Sequence, residues 1–363
     1  MKVLVLSGRF GMGHEMAANA ICEQFQKIDG QVEIEKKDLL EEIYPHISKL
    51  IFGGFRMMVE HCHGIYNFIY KMSGKMKVEM QPRGEAIYRK LKKIMDKEQP
   101  DVIVCTHPVC VKAIASYKEK TGLEVSLVTC ITDISMHPEW ISSQTDIYLA
   151  PTQEIKEHLI KEGTREENIL VTGIPVRQQF LNADSRLAEE WSRTHRVLVM
   201  GGGLGLMPDL KELLGKLHSM QGVEAVVITG KNHKMYEEWV NRYDDVEVLG
   251  YTEDISRYMR WADLVITKAG GITLFEILHS QVPLFVIHPF LEQEMNNARY
   301  AAEKGFAKVV WGRHETYIKE LEELLNDRSA LEEMNENVRR ACKEMIDISL
   351  AEAVEIMEER MTA

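Results

Sequence analysis

No window of this sequence holds an uninterrupted apolar run near the ~20 residues a membrane-spanning helix needs, so a threaded membrane protein is not expected. Only Met1 and Lys2 precede the first apolar run, Val3-Leu4-Val5-Leu6, which leaves no secretory leader and points to the cytoplasm. Cysteine is sparse: six residues, at 22, 62, 105, 110, 130 and 342, with no C-x-x-C pair. Zinc ligands want closer spacing, and several of these thiols fall in strand-like apolar runs, as reduced buried cysteines do. Basic charge is also short, with 44 Lys and Arg against 56 Asp and Glu and a net charge of −12. A general nucleic-acid binder needs a basic footprint, so the balance argues against that class while leaving room for a local basic patch. The glycines of the first loop form neither a P-loop nor G-x-G-x-x-G, which removes support for the usual NTP or NAD site there. No Asp-x-Asp pair occurs anywhere in the chain.

What is present suits a globular α/β protein: 45% hydrophobic and 28% charged residues, in a 363-residue chain with room for two domains. Short apolar strands alternate with helical spacing throughout. In the first half they are Val3–Ser7, Val32–Lys36, Asp101–Thr106, Val125–Ile131, Ile147–Ala150 and Ile169–Thr172. Asn182 to His195 reads as polar and helix-like. Arg196–Met200, Val223–Thr229, Val246–Leu249, Leu264–Thr267 and Leu284–Ile287 follow, with a helix expected from about Pro208. The pattern predicts two doubly wound parallel sheets, with a boundary near Val176 that divides the chain into 1–176 and 177–363. Past Glu315 the chain is helical and acidic, and it is expected to pack back on the first domain.

The richest stretch is Thr267–Asn297, TKAGGITLFEILHSQVPLFVIHPFLEQEMNN. A buried strand runs into Gly270-Gly271, where glycine is expected to permit an unusual turn and close ligand approach. A helix over Ile272–Ser280 follows, with Ile272, Phe275, Leu278 and His279 on one face. Its free N–H groups at the end of a parallel strand suit a phosphate. Thr273 adds a hydroxyl, Lys268 precedes the turn, and Glu276 is placed to take the two hydroxyls of a ribose. Gln293, Glu294 and Asn297 open the next helix with hydrogen-bonding groups. A lone Gly-Gly would be an ordinary turn; the combination reads as a nucleotide-sugar site. Gly201–Gly205, including Gly203 and Gly205, and Gly250-Tyr251-Thr252 would line a diphosphate and a base.

In the first half, Gly8–His14 is a loop entering a helix at about Glu15, with Gly11 and Gly13 directly before His14. Titratable groups collect at the carboxyl ends of three strands: His14, His107 and Asp133, with His137, Pro138 and Trp140 beyond the last. Open sheets bind ligands at that rim. The segment from about 43 to 93 differs. Ile47, Leu50, Ile51, Ile65, Phe68, Ile69 and Met72 follow helical spacing, with Met57, Met58, Tyr66 and Tyr70 adding bulk and Phe52-Gly53-Gly54-Phe55 interrupting the halves. Lys71, Lys75, Lys77, Arg83, Arg89, Lys90, Lys92 and Lys93 follow, against Glu79 and Glu85. A core helix followed by a solvated one accounts for many of these residues. Apolar bulk beside basic charge also suits the surface of an anionic membrane, and at about 1 kcal/mol per basic residue it would dock reversibly.

G-x-G-H-x-x-A-A at Gly11–Ala18 and T-K-A-G-G-x-T-x-x-E at Thr267–Glu276 stand at the two ends of the chain. Between them come Asp133 with His137 and Trp140, then Thr172-Gly173-Ile174-Pro175-Val176; Gln293-Glu294 follows the rear motif. Together these resemble the GT-B nucleotide-sugar glycosyltransferases. More closely, they resemble the family of monogalactosyldiacylglycerol synthases and bacterial processive diacylglycerol glucosyltransferases. The resemblance covers nearly the whole chain. One departure is Ala269, where many bacterial relatives have proline.

The resemblance implies two Rossmann-like domains facing each other and an inverting hexosyl transfer from UDP-glucose or UDP-galactose to a diacylglycerol-type lipid. It implies UDP-sugar contacts at Gly203, Gly205, Tyr251, Thr252, Lys268, Gly270, Gly271, Thr273, Glu276, Gln293 and Glu294. On the acceptor side it implies Gly13, His107, His137 and Trp140, with His14 or Asp133 as the base. The missing Asp-x-Asp pair fits a reaction without a metal, so no cofactor is expected and helix N-termini would steady the leaving diphosphate. The implied location is the inner face of the cell membrane, held peripherally. Alternatives are transfer to a polyprenyl-linked or soluble acceptor, a UDP-sugar 2-epimerase, and a non-catalytic sensor, the last disfavoured by the polar rim.

Overall fold

The computed structural model describes residues 1–9, 12–28, 32–76, 84–181, 194–202, 210–311 and 317–362. The chain divides into two units: Met1–Gln178 with Met345–Ala363, and Gln179–Glu344.

The first unit runs β1 (Lys2–Ser7), α1 (Met12–Ile28), β2 (Glu33–Asp38), α2 (Leu39–Ile43), α3 (Ser48–His61), α4 (His63–Met76) and α5 (Glu85–Glu98). It continues through β3 (Val102–Cys105), α6 (Pro108–Thr121), β4 (Ser126–Cys130), β5 (Ile147–Ala150), α7 (Gln153–Lys161) and β6 (Ile169–Val171). Its six parallel strands lie in the order β2-β1-β3-β4-β5-β6. Val3–Leu6 and Val102–Cys105 are at most 1% exposed. Strands covered on both faces need continuous apolar runs, which these sequences have. Ala17, Ala18 and Ala20 are fully buried, so α1 can lie close against the sheet.

A short helix, α8 (Gln178–Leu181), leads out of this unit. The second unit runs β7 (His195–Met200), α9 (Leu210–Ser219), β8 (Val223–Ile228), α10 (His233–Trp239), β9 (Val246–Leu249), α11 (Ile255–Trp261) and β10 (Leu264–Thr267). Then come α12 (Gly271–Ser280), β11 (Leu284–Ile287), α13 (Glu292–Glu303), β12 (Ala307–Val310), α14 (Tyr317–Asn326) and α15 (Arg328–Met345). Its sheet order is β12-β11-β10-β7-β8-β9. The last helix, α16 (Leu350–Thr362), belongs to the first unit, where Leu350, Ala353, Val354 and Met357 share a core with Val3, Val5, Ile21 and Phe25.

In each sheet the strand order reverses once, between β1 and β3 and between β7 and β10. Ligands of open parallel sheets bind outside the carboxyl ends of the strands at such a reversal. Ligands are therefore expected at the loops after β1, β3, β7 and β10.

Several expectations need correction. Gly53-Gly54 does not interrupt the helix: α3 runs through both glycines and the break falls at Cys62. Mid-helix glycine costs only ~1 kcal/mol relative to alanine, which the rest of the helix absorbs. The core-helix reading of this segment also fails, because Leu50 is 77%, Met57 64%, Ile65 57% and Phe68 64% exposed. Helix α1 begins at Met12, so Gly13 and His14 stand in its first turn rather than in a loop. Strand β12 escaped the sequence reading because Ala307–Val310 is a four-residue edge strand holding a lysine. The helix-like stretch 182–193 and the helix start at Pro208 lie outside the described residues, and His195 opens β7 instead.

Candidate active site

At the first reversal point, β1 ends at Ser7 and β3 runs beside it, with Thr106 N donating to the Leu6 carbonyl at 3.0 Å. Strand β4 lies next to β3, so Ser7 at the end of β1, Thr106 one residue past β3 and Thr132 two residues past β4 follow neighbouring strands. They converge on His14. Nδ1 of His14 lies 2.9 Å from the Thr106 carbonyl and 2.7 Å from Thr132 Oγ1. Thr106 Oγ1 is 3.0 Å from Ser7 Oγ and 3.1 Å from the His14 carbonyl, donating to one of these oxygens at a time. The His107 ring meets His14 edge to face with centroids 4.5 Å apart, and Trp140 lies 6.2 Å away.

His107 caps α6, accepting from Val109 N through Nδ1 at 3.1 Å, with Pro108 opening the helix. His137 does the same for the turn Pro138–Trp140. That turn aims Trp140 Nε1 at Asp133 Oδ2, 3.0 Å away. Oδ1 of Asp133 is buried with no hydrogen-bond partner among the described residues. A buried orphan acceptor costs about 1–3 kcal/mol, so a fold retaining one is suited to receive a hydroxyl proton there. His137 Nε2 lies 3.4 Å from the Tyr70 carbonyl, and the two rings are 4.8 Å apart.

Burial sets the charge states. It lowers His14 to about 4, the Thr106 carbonyl opposing it, so the imidazole is neutral at pH 7. His107 is lowered too, by burial and then by His14. Asp133 is raised to about 6 by burial, while Trp140 and His137 pull it down and Glu139 pushes it up. A neutral imidazole and a carboxylate of moderate basicity thus share one rim, which suits general-base chemistry on a hydroxyl.

In the second unit, Gly270 caps α12 with φ −71 and ψ 144. The expected unusual turn is absent: neither Gly270 nor Gly271 has positive φ. A Cβ at Gly270 would stand 3.4 Å from Thr273 Oγ1, an ordinary contact, so neither the dihedral nor the local packing demands glycine there. Glu276 is buried on α12 at 7% exposure. Asn297 donates through Nδ2 to the Ala269 carbonyl at 2.9 Å, tying α13 to the glycine turn, while its Oδ1 is buried without a partner among the described residues. Lys268 Nζ lies over the Phe290 ring at 4.5 Å. Burial raises the Glu294 carboxyl, while Lys268 and the amides of Leu291 and Phe290 lower it.

Lys268, Gly270, Gly271, Thr273, Glu276 and Glu294 are therefore grouped around the β10–α12 turn, with Gln293 on the first turn of α13. Tyr251 and Thr252 are not part of that group. They follow β9, the sheet edge, three strand spacings or roughly 14 Å from β10. Tyr251 is 52% exposed, and Thr252 Oγ1 accepts from Asp254 N. Gly203 and Gly205 lie outside the described residues, as do Lys77 and Arg83.

Sequence reasoning passed over Thr106 and Thr132 as site residues. The available signal was a hydroxyl residue ending each of two apolar runs. It also passed over His288, which follows β11 with φ 46, a left-handed conformation that a non-glycine residue adopts at a cost. Among the described residues, no group of three or more His, Cys, Asp or Glu side chains could hold a metal ion, and no helix is long and apolar enough to cross a membrane.

Residues 14–176 match the family model described as monogalactosyldiacylglycerol (MGDG) synthase, and residues 196–351 match the glycosyltransferase family 28 C-terminal domain. The chain is 30% identical over 369 residues to a processive diacylglycerol beta-glucosyltransferase of Bacillus subtilis, covering 98% of this chain and 93% of the relative. A protein of the same name from Bacillus pumilus is 30% identical, covering 93% of this chain and 90% of the relative. Among solved structures, MurG of Acinetobacter baumannii superposes with a TM-score of 0.64 at 15% identity, covering 99% of both chains. A UDP-GlcNAc 2-epimerase of Neisseria meningitidis bound to UDP-GlcNAc gives 0.60 at 14% identity, covering 99% of this chain and 100% of that one. These neighbours establish the GT-B fold and no more.

Proposed function

We infer the activity from one premise: the chain belongs to the processive diacylglycerol beta-glucosyltransferase family. On this reading it is a UDP-sugar-dependent hexosyltransferase that places a hexose on the free hydroxyl of a diacylglycerol-type lipid. The observation that carries the reading is identity of 30% across 98% of the chain with a protein named for that reaction. The relatives' name favours UDP-glucose over UDP-galactose as donor. The epimerase alternative rests on fold likeness at 14% identity, which transferases share equally.

The donor is assigned to the second unit. The N-terminus of α12 and the glycine turns would face the diphosphate, Glu276 the ribose, and Gln293, Glu294 and Asn297 the sugar hydroxyls. The acceptor is assigned to the first unit. The lipid hydroxyl gives its proton to Nε2 of His14 while its oxygen bonds to the anomeric carbon and UDP departs with the bonding pair. Asp133 Oδ1, buried without a partner among the described residues, would face the acceptor as the second candidate base, with His107, His137 and Trp140 shaping that rim. A base with a pKa near 4 is weak for an alcohol in isolation. The Thr106 carbonyl, which favours the imidazolium, works against that weakness from within the same unit.

The exposed apolar side chains of α3 and α4 support reversible docking on an anionic bilayer, the source of the acceptor. Lys71 on α4 and Arg89, Lys90, Lys92 and Lys93 on α5 are exposed too. The deciding experiment is UDP release from UDP-glucose and from UDP-galactose, with and without diacylglycerol in micelles. Lipid-dependent release with a glycolipid product supports the reading; hydrolysis indifferent to lipid, or epimerised donor, defeats it.

A further inference from the structure

His14 has two oxygens at hydrogen-bond distance from the same ring nitrogen, the Thr106 carbonyl at 2.9 Å and Thr132 Oγ1 at 2.7 Å. A main-chain carbonyl can only accept. Nδ1 must therefore carry the ring proton, which leaves the lone pair on Nε2. The Thr132 hydroxyl oxygen is then a second acceptor for the same N–H. Both threonines are buried, at 0% and 4% exposure, so water does not compete for the arrangement.

We propose that Thr132 is the positioning residue of the His14 base: its hydroxyl, with the Thr106 carbonyl, holds the imidazole in the one tautomer that presents Nε2 to an acceptor hydroxyl. The proposal rests on the transferase reading above. It assigns to two neutral oxygens the work that a buried carboxylate does in a Ser-His-Asp triad, orienting the ring and steadying the Nδ1–H side when imidazolium forms. The adjacent carboxylate is otherwise engaged, since Asp133 turns to Trp140 Nε1. Neighbouring residues at the end of β4 thus divide two tasks, Thr132 toward the base and Asp133 toward the acceptor rim. Thr106 cannot be tested alone in this way, because its contact to the ring is main chain and its hydroxyl serves Ser7 and the His14 carbonyl.

The test compares Thr132→Val, which keeps shape and removes the hydroxyl, with Thr132→Ser, which keeps the hydroxyl. The expected result is a kcat lower by about tenfold to a hundredfold in Thr132→Val, with KM for donor and lipid within about twofold. Thr132→Ser should recover most of the rate. Imidazole 15N NMR, with the His14 signals assigned by their loss in His14→Gln, should show the proton on Nδ1 in the wild-type chain. In Thr132→Val the Thr106 carbonyl should keep the proton on Nδ1, while the Nδ1 signal shifts as the N–H loses one of its two acceptors. A Thr132→Val enzyme turning over within twofold of wild type would overturn the proposal. So would a Thr132→Ser enzyme as slow as Thr132→Val, or a wild-type proton on Nε2. If Thr132→Val does not fold, Thr132→Ala carries the same comparison. If wild-type protein glycosylates no lipid, the transferase reading fails by itself, and the NMR arm still decides the role of Thr132.

Discussion

Trp140 Nε1 donates to Oδ2 of Asp133 across 3.0 Å, while Oδ1 of this buried carboxylate has no hydrogen-bond partner among the described residues. The geometry commits one oxygen to the protein and leaves the other without a partner. Most buried carboxylates are paired or fully hydrogen-bonded, so this one has the character of a functional group whose cost the fold tolerates.

Its titration should be visible in the rate. Asp133 is raised to about 6, while neutral His14 survives to about 4. The acid limb of kcat/KM should therefore fall near pH 6 as Asp133 takes up a proton. In Asp133→Asn the remaining activity should lose that limb and hold to lower pH. A wild-type profile flat from pH 5 to 7.5 would contradict the assignment.

The same group should weaken the fold at neutral pH. Its pKa in the folded state lies above the ordinary value of 3.8, so the folded protein holds the proton more tightly than the unfolded chain. Stability then declines as pH rises from about 3.8 to about 6, and the full cost applies above that window. Asp133→Asn should raise Tm at pH 7.5, by an equivalent of up to roughly 3 kcal/mol, and little below pH 4. His14 acts with the opposite sign: its folded value lies below the ordinary 6.5, so its contribution is lost as pH falls from about 6.5 to about 4. Thermal melts of Asp133→Asn and His14→Gln across that range check both directions.

Two glycines separate donor binding from folding. Gly270 has φ −71, and a Cβ there would meet Thr273 Oγ1 at 3.4 Å. Gly270→Ala should fold with a near wild-type Tm while raising KM for the UDP-sugar tenfold or so, because the new methyl group blocks approach to the α12 N-terminus. Gly305 has φ +76, and its Cβ would stand 2.6 Å from Asn337 Nδ2. Gly305→Ala should lower stability by about 1–2 kcal/mol and leave KM for the donor unchanged. Measuring Tm and donor KM for both variants checks the contrast, and equal behaviour of the two would argue against Gly270 at the diphosphate.

Docking on membranes should depend on the apolar face of α3 and α4. Leu50 is 77% and Phe68 64% exposed, so changing both to aspartate removes no core packing. Sedimentation with vesicles rich in anionic lipid should show binding weakened on the order of tenfold or more, at unchanged Tm. Binding by the parent chain should also weaken as salt rises. Retention of full vesicle binding by the double variant would place the docking surface elsewhere.

Glu276→Gln should raise KM for the UDP-sugar more than it lowers kcat, if the carboxylate holds the ribose through both substrate and transition state. A fall in kcat alone would move Glu276 from binding to chemistry.

Much of this architecture was legible because its signals are local. An apolar run such as Asp101–Thr106 bounded by polar residues reads as a buried strand wherever it lies, and the glycine turn after Leu264–Thr267 marks its own strand–helix junction. The same locality misled at Gly53-Gly54, where a turn was inferred from composition and the helix continued. It misled again at Gly270, whose φ of −71 is open to any residue.

Sequence by itself determined the alternation of strands and helices, the placement of His14, His107 and Asp133 at strand ends, and the family to which the whole chain is similar. Only the tertiary structure decided which of these groups touch. Parallel pairing of β1, β3 and β4 brings residues 7, 14, 106 and 132 within hydrogen-bond reach. It is that pairing across more than ninety residues which assigns the proton on His14, since a tautomer is set by neighbours in space and carries no mark in the order of residues along the chain.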